Sequence, residues 1–327
     1  MGRYLLNRLI YMVVVCIFVS IITFVVIQLP PGDYLTSYVT SLEASGRQVS
    51  QEQLKALQIR YGLDRPMHIR YLKWITNFVR GDMGQSFEWN QPVNTLVWER
   101  LGLTAVISVS SLIFTWVVAL PIGIISALKK HTFIDYFTTF LSFLGLAIPS
   151  FMLALVLMYV GFSYFDIHVG GLFSPEFQHA AWSWAKFKDL LAHLWVPTIV
   201  LGTGGTGGMV RIMRANLLDE LDKLYVTAAT ARGLSPMRLI VKYPVRIAIN
   251  PFISTIGWTL PEIISGATIT SIVLNLPTTG PLLLGALRTQ DMYLAGSFLM
   301  LLTILTVIGT LISDLLLALV DPRIRFE

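Results

Sequence analysis

The sequence predicts an all-α integral membrane protein with six transmembrane helices, and three observations carry that expectation. The 327 residues have a mean hydropathy of +0.67 and only 13% charged residues, against about 25% in soluble domains. The charges are clustered, leaving uncharged runs as long as a bilayer requires, about 20 residues. The lysines and arginines, finally, are shared between loops in a way that fits six spans and a cytoplasmic N-terminus.

The first run, 9–29, is uncharged, follows Arg3 and Arg8, and ends in QLPPGD. A signal peptide would have a shorter apolar region and a small-residue cleavage site, so this reads as an uncleaved span. An external loop, 30–100, follows. Within it SQEQLKALQIRYGLDRP reads as a helix capped by Ser50 and stopped by Gly62. Tyr71, Trp74 and Phe78 recur at helical spacing and read as interfacial anchors. The second and third runs, 101–128 and 136–165, carry no charge and are separated by the basic turn KKHTFID.

The fourth span, 194–212, is the weakest, because it contains Pro197 and GTGGTGG, and glycine costs about 1 kcal/mol relative to alanine inside a helix. Charge decides in its favour. With six spans the inside segments 1–8, 129–135, 211–246 and 321–327 hold 13 of the 24 Lys and Arg, seven of them in 211–246. Deleting the fourth span would place those seven outside, against the positive-inside rule. The glycines then signal either close helix packing or a broken helix lining a cavity. The fifth span, 247–275, is apolar except for Glu262, and the sixth, 292–320, is apolar until Asp314.

Enzymatic and nucleotide chemistry finds no footing. There is no GxxxxGK[ST], HExxH, CxxC or GxSxG, and the five histidines are scattered. The single cysteine, Cys16, lies in an apolar run. The net charge of +5 is explained by cytoplasmic loops facing anionic lipids and protein partners, not by nucleic acid. Glu262 follows Pro261 inside a span, where an ionisable group is expensive. It reads either as a polar lining of a translocation path or as a paired or protonated residue that fixes packing.

The cytoplasmic loop 213–246 contains LLDELDKLYVTAATARGLSP. Helical spacing of Leu217, Leu221, Leu224, Ala228 and Ala231 predicts one helix from Leu217 to Arg232, about 24 Å long. Gly233 suits its left-handed cap and Pro236 lies just beyond. Thr227, Ala228, Ala229 and Ala231 give it a small face, which reads either as a surface another protein could approach or as packing on the protein's own transmembrane bundle.

TAATARG, with Pro244 eleven residues after Gly233, resembles the cytoplasmic EAA motif of permease subunits of ATP-binding-cassette (ABC) importers. That motif has Glu-Ala-Ala, three residues, then Gly; here Thr227 stands in the Glu position, followed by Ala228, Ala229 and Gly233. RYLLNRLI with its following span and LPPGD, LDRPMHIRYLKWITNFVRGDMGQSF, ERLGLTAVISV, LPIGIISALKKHTFID, AIPSFMLAL and LVDPRIRF are similar to blocks of the dipeptide, oligopeptide and nickel permeases. The resemblance covers nearly the whole chain.

It implies a type I ABC importer permease fold with a cytoplasmic coupling helix, in a prokaryotic plasma or inner membrane with both termini cytoplasmic. Implied partners are a homologous second permease, two ABC ATPase subunits and an extracytoplasmic substrate-binding protein. The chain itself would be non-catalytic and hold no cofactor, ATP and Mg²⁺ being bound by the ATPases. Thr227, Ala228, Ala229, Arg232 and Gly233 would couple to an ATPase, with Arg232 as a rim charge. Peptides lead as substrates, with oligosaccharides or nickel as alternatives. An ion-coupled carrier would need more than one intramembrane carboxylate.

Overall fold

A computed structural model describes residues 2–29, 35–36, 39, 52, 55, 58–59, 64–166, 169–178, 180–254 and 268–320. Among these residues the only β feature is an isolated bridge between Gln85 and Pro92. The rest is helix and turn. Three of the described helices are long and apolar enough to cross a membrane, Ile10–Gln28, Val93–Leu128 and Met292–Ile312, and a sharply bent pair would make a fourth. The predicted helix from Ser50 to Gly62 lies outside the described residues at all but four of its positions, and the middle of the fifth predicted span, with Glu262, lies outside them entirely.

The chain divides into two compact units, Met1–Leu103 with Thr278–Val307, and Thr104–Pro277 with Ile308–Phe326. In the first, α1 (Gly2–Gln28) packs on α2 (Met67–Val79). Phe24 meets Tyr71 edge-on and stacks on Trp74, with ring centroids 5.3 and 6.1 Å apart, and the Ser20 and Tyr71 hydroxyls share a hydrogen bond of 2.8 Å. Trp74 is 1% exposed, and its Nε1 donates to Ser297 Oγ at 3.2 Å. The anchoring role expected of this aromatic row therefore fails at Trp74. An anchor keeps its ring at the headgroups, whereas this indole is core and its one polar atom is satisfied inside the protein.

The turn 80–92 in the same unit is organised by Asp291, which has no exposed surface. Its Oδ2 accepts from Ser86 Oγ at 2.5 Å and from the amides of Phe87 and Glu88 at 2.7 and 3.2 Å. Its Oδ1 accepts from the amide of Leu294 at 3.1 Å. One carboxylate thus ties the turn to the first turn of the C-terminal helix. Burial pushes this carboxyl above its ordinary range, against the opposing pull of those donors.

The second unit is built on α3 (Val93–Leu128) from Thr104 onward, α4 (Phe133–Ala147), α5 (Ser150–Phe165) and α6 (Trp184–Leu221). The third predicted span is not one rod: α4 and α5 meet at 95°. Pro149 explains the break. A proline drives the residue before it out of the helical region, and Ile148 is extended, with φ −85° and ψ 118°. Pro149 then leads α5, where its missing N–H would have had no helical partner.

By contrast α6 runs unbroken for 38 residues through GTGGTGG, starting ten residues before the predicted fourth span. The helix is not broken, and close packing is the reason for two of the glycines, Gly202 and Gly207; a Cβ on Gly204 or Gly208 would meet nothing within 4 Å. A Cβ on Gly202 would stand 2.5 Å from the Phe114 ring, and one on Gly207 would overlap the Ser142 carbonyl oxygen. At the end of α6 toward its C-terminus, Met213 and Leu217 are fully buried with Ala119, Ala127, Val245, Ala248 and Phe252. Each large side chain in such a cluster contributes about 1.5–3 kcal/mol.

Candidate functional site

Beyond Leu221 the chain makes three short helices, α7 (Leu224–Ala231), α8 (Pro236–Lys242) and α9 (Pro244–Ala248). The single helix expected from Leu217 to Arg232 is interrupted at Asp222 and Lys223, the latter extended with ψ 145°. The acids Asp219, Glu220 and Asp222 cluster at the break. Asp219 and Glu220 remain in the last turn of α6, whose negative end disfavours them, and Asp222 caps it. Tyr225 Oη donates to Glu220 Oε2 at 2.6 Å and bridges the break.

At its other end α7 stops at Arg232, and Gly233 takes the left-handed conformation (φ +75°), its amide donating to Thr230 O at 2.9 Å. Glycine adopts this conformation without the steric cost of a Cβ. Pro236 does not merely follow the helix; it opens α8, which folds back on α7. Val226, Ala229 and Leu239 form a buried cluster between the two, flanked by Tyr225, Leu234, Ile240 and Tyr243. Val245 and Ala248 of α9 then join the core around Met213, so the α7–α8 hairpin stands on the end of α6.

This geometry separates residues that the sequence grouped. Thr227, Ala228, Arg232 and Gly233 are exposed, whereas Ala229 is buried under α8. Ala229 therefore shapes the hairpin from inside and has no part in its outer face. That face has apolar knobs at Leu224 (87% exposed), Met237 (72%) and Val241 (55%). Five cations of the same segment, Lys223, Arg232, Arg238, Lys242 and Arg246, are exposed, and the sequence has no Asp or Glu between Asp222 and Glu262. The surface suits an apolar recess rimmed by carboxylates. Glu262 lies outside the described residues.

Sequence reasoning missed the footing of this site. Asp135, in the first turn of α4, is 2% exposed and accepts four hydrogen bonds. Ser126 Oγ (2.6 Å) and Arg214 Nε (2.7 Å) reach Oδ1; Arg214 Nη2 (2.8 Å) and the His131 amide (2.9 Å) reach Oδ2. The forked hydrogen bonds of the Arg214 guanidinium hold this carboxyl well below the ordinary carboxylate range, and the Ser126 and His131 donors add to the effect against burial. The available signal was one acid ending an otherwise basic turn, KKHTFID, in a loop with no other carboxylate.

Comparison with known proteins follows the same lines. The family described as binding-protein-dependent transport system inner membrane component matches residues 119–326, and the N-terminal family of the same membrane components matches 1–108. A candidate peptide permease of Brucella suis biovar 1 is 32% identical over 99% of both chains. The oligopeptide transport system permease AppB of Bacillus subtilis is 31% identical over the full length of both. The dipeptide transport system permease DppB of Escherichia coli K12 is 28% identical, again over both full lengths.

Proposed function

Because the chain belongs to the binding-protein-dependent transport system inner membrane components, and within them to the peptide permeases of ABC transporters, we propose that it is one permease subunit of an ATP-driven importer for di- or oligopeptides. It would form half of the translocation path beside a homologous second permease, in a prokaryotic plasma or inner membrane. Spans at 9–29, 101–128, 136–165, 194–212, 247–275 and 292–320 would leave both termini and the loop 213–246 in the cytoplasm. The third of these would be bent at Pro149. An extracytoplasmic binding protein would deliver the substrate to the side of the loop 30–100.

The observation that carries the coupling role is the exposed, basic, apolar-knobbed face of the α7–α8 hairpin, seated on the end of α6 through α9. Two ATPase subunits bind and hydrolyse ATP with Mg²⁺ in this reading, and the chain carries no cofactor. The hairpin docks in a cleft of one ATPase with Thr227, Ala228 and Leu224 inward and Arg232 at the rim; Gly233 sets the turn and Ala229 holds α7 to α8. Closure of the ATPase then moves a rigid element, the kind of two-state drive on which transport depends. The peptide class is supported by the relatives' names. Glu262 is a candidate for the translocation path.

The test is mass spectrometry of the ligand released from the cognate binding protein, after that protein has been shown to stimulate ATP hydrolysis by the reconstituted complex. Bound peptides agree with the proposal. Bound oligosaccharides or nickel keep the importer and move its substrate class. A complex that takes up peptide without hydrolysing ATP overturns the importer in favour of an ion-coupled carrier.

A further inference from the structure

Asp135 is the only buried residue of α4; every other side chain of that helix is exposed or half-exposed. Phe133 and Tyr136 beside it are 81% and 63% exposed. Its first turn is therefore held by polar contacts, not apolar ones: the two-point pair with Arg214 of α6, the Ser126 hydroxyl at the end of α3, and the His131 amide. Two turns further along, α4 and α6 touch backbone to side, where Gly207 faces the Ser142 carbonyl. An apolar contact tolerates sliding, but a forked guanidinium–carboxylate pair fixes both distance and rotation.

The other end of α4 is different. At Ile148 and Pro149 the helix turns by 95°, and beside the bend is a hollow of about 190 Å³ lined by Leu144, Gly145, Ile148, Leu153, Val200 and Thr203. Tightly packed interiors have two arrangements only where space permits a second one. The start of α4 is thus clamped, while hollows adjoin the rest of the helix. A second one, also of about 190 Å³, lies between α3, α4 and α6 beside Thr138, Leu141, Ser142, Thr206 and Gly207, so the polar clamp rather than filled packing is what ties α4 to α6.

We infer that Asp135 and Arg214 form a clasp that makes α4 travel as one body with α6, so that a push on the α7–α8 hairpin is delivered to the Ile148–Pro149 bend. Asp135 is a positioning residue in this account, acting through α6 and touching no substrate. The inference rests on the importer reading, since it needs an ATPase to push.

Spin labels test it in the complete complex of both permeases and both ATPases, in a Cys16→Ser background. One pair replaces Phe133 and Asp219, exposed residues of α4 and of the end of α6; the other replaces Phe133 and Tyr159, across the bend. Between the nucleotide-free and ATP–vanadate states, the 133–219 separation should move by less than about 2 Å, the scale of shifts in packed helix interfaces, while 133–159 moves further. In D135N the 133–219 distribution should broaden and become nucleotide-dependent. If D135N does not assemble, Arg214→Lys, which keeps the charge and loses the fork, decides by the same criterion. A wild-type 133–219 shift as large as that across the bend overturns the clasp alone, as does a variant indistinguishable from wild type. A chain that forms no complex with ATPases overturns the importer reading, and the clasp with it.

Discussion

The hydroxyl of Tyr225 donates to the carboxylate of Glu220 at 2.6 Å, across the point where α6 gives way to α7. The contact joins two helices whose backbone hydrogen bonding is interrupted by the extended Lys223, so the side chains set the angle between them. Tyr225→Phe should leave global unfolding nearly unchanged and speed amide exchange over 224–231 by roughly tenfold, the equivalent of one hydrogen bond to a charged group. Exchange equal to wild type would mean that the Val226–Leu239 cluster alone fixes the hairpin.

Ala228 and Ala229, adjacent in sequence, should respond oppositely to the same substitution. Ala228→Glu introduces an exposed charge and should change stability by less than about 0.5 kcal/mol, yet weaken capture of the partner ATPase in a pull-down. Ala229→Glu forces volume and charge into the hairpin and should destabilise it by about 1–3 kcal/mol or more. Thermal unfolding in detergent separates the two effects. Equal loss of stability in both variants would contradict the burial pattern.

Asp291 should matter to the turn 80–92 far more than its distance in sequence suggests. Asp291→Ala leaves the Phe87 and Glu88 amides and the Ser86 hydroxyl without their acceptor, at about 1–3 kcal/mol for a buried orphaned group. Limited proteolysis should then cut within 84–90 while the helices stay protected. Wild-type resistance would show that the edge-on contact of Phe87 with Tyr293, ring centroids 5.4 Å apart, holds the turn unaided.

The Asp135–Arg214 pair predicts a pH signature. The folded carboxyl lies below its ordinary value of 3.8 and so binds its proton less tightly than in the unfolded chain. Its contribution to stability is then complete above the ordinary value and lost as pH falls through the window beneath it. The melting temperature of D135N should fall short of wild type at pH 7, and the gap should narrow below pH 4. A gap constant with pH would assign the loss to packing.

Much of this architecture is written in hydropathy, and the parts that are not have physical reasons. The uncharged runs behind α1, α3 and the C-terminal helix Met292–Val320 were visible because each helix is apolar over most of its length. The break at Asp222 and Lys223 was invisible to periodicity, since Leu217, Leu221 and Leu224 keep helical spacing across it. The burial of Trp74 depends on Phe24 and Ser297, far away in sequence, and no local pattern reports such partners. The burial of Ala229 was illegible for the same reason: only the return of α8 covers it. The Ile148–Pro149 bend was legible as a proline, but hydropathy is indifferent to direction and joined both arms into one span.

The glycine seam of α6 has a consequence for how the protein is made. Unlike α3, α6 is not apolar enough to count as a membrane-crossing helix by itself. On the six-span arrangement proposed above, it would leave the translocation machinery as a reluctant segment, with glycine and threonine where leucine would favour release into lipid. The surfaces that accept those glycines, Phe114 and Ser111 of α3 and Ser142 of α4, are encoded before it and emerge from the ribosome first. Insertion of α6 is then a docking event onto helices already waiting in the bilayer. A defect at Ser142 or Phe114 should therefore surface during biogenesis, as chain degraded before it folds.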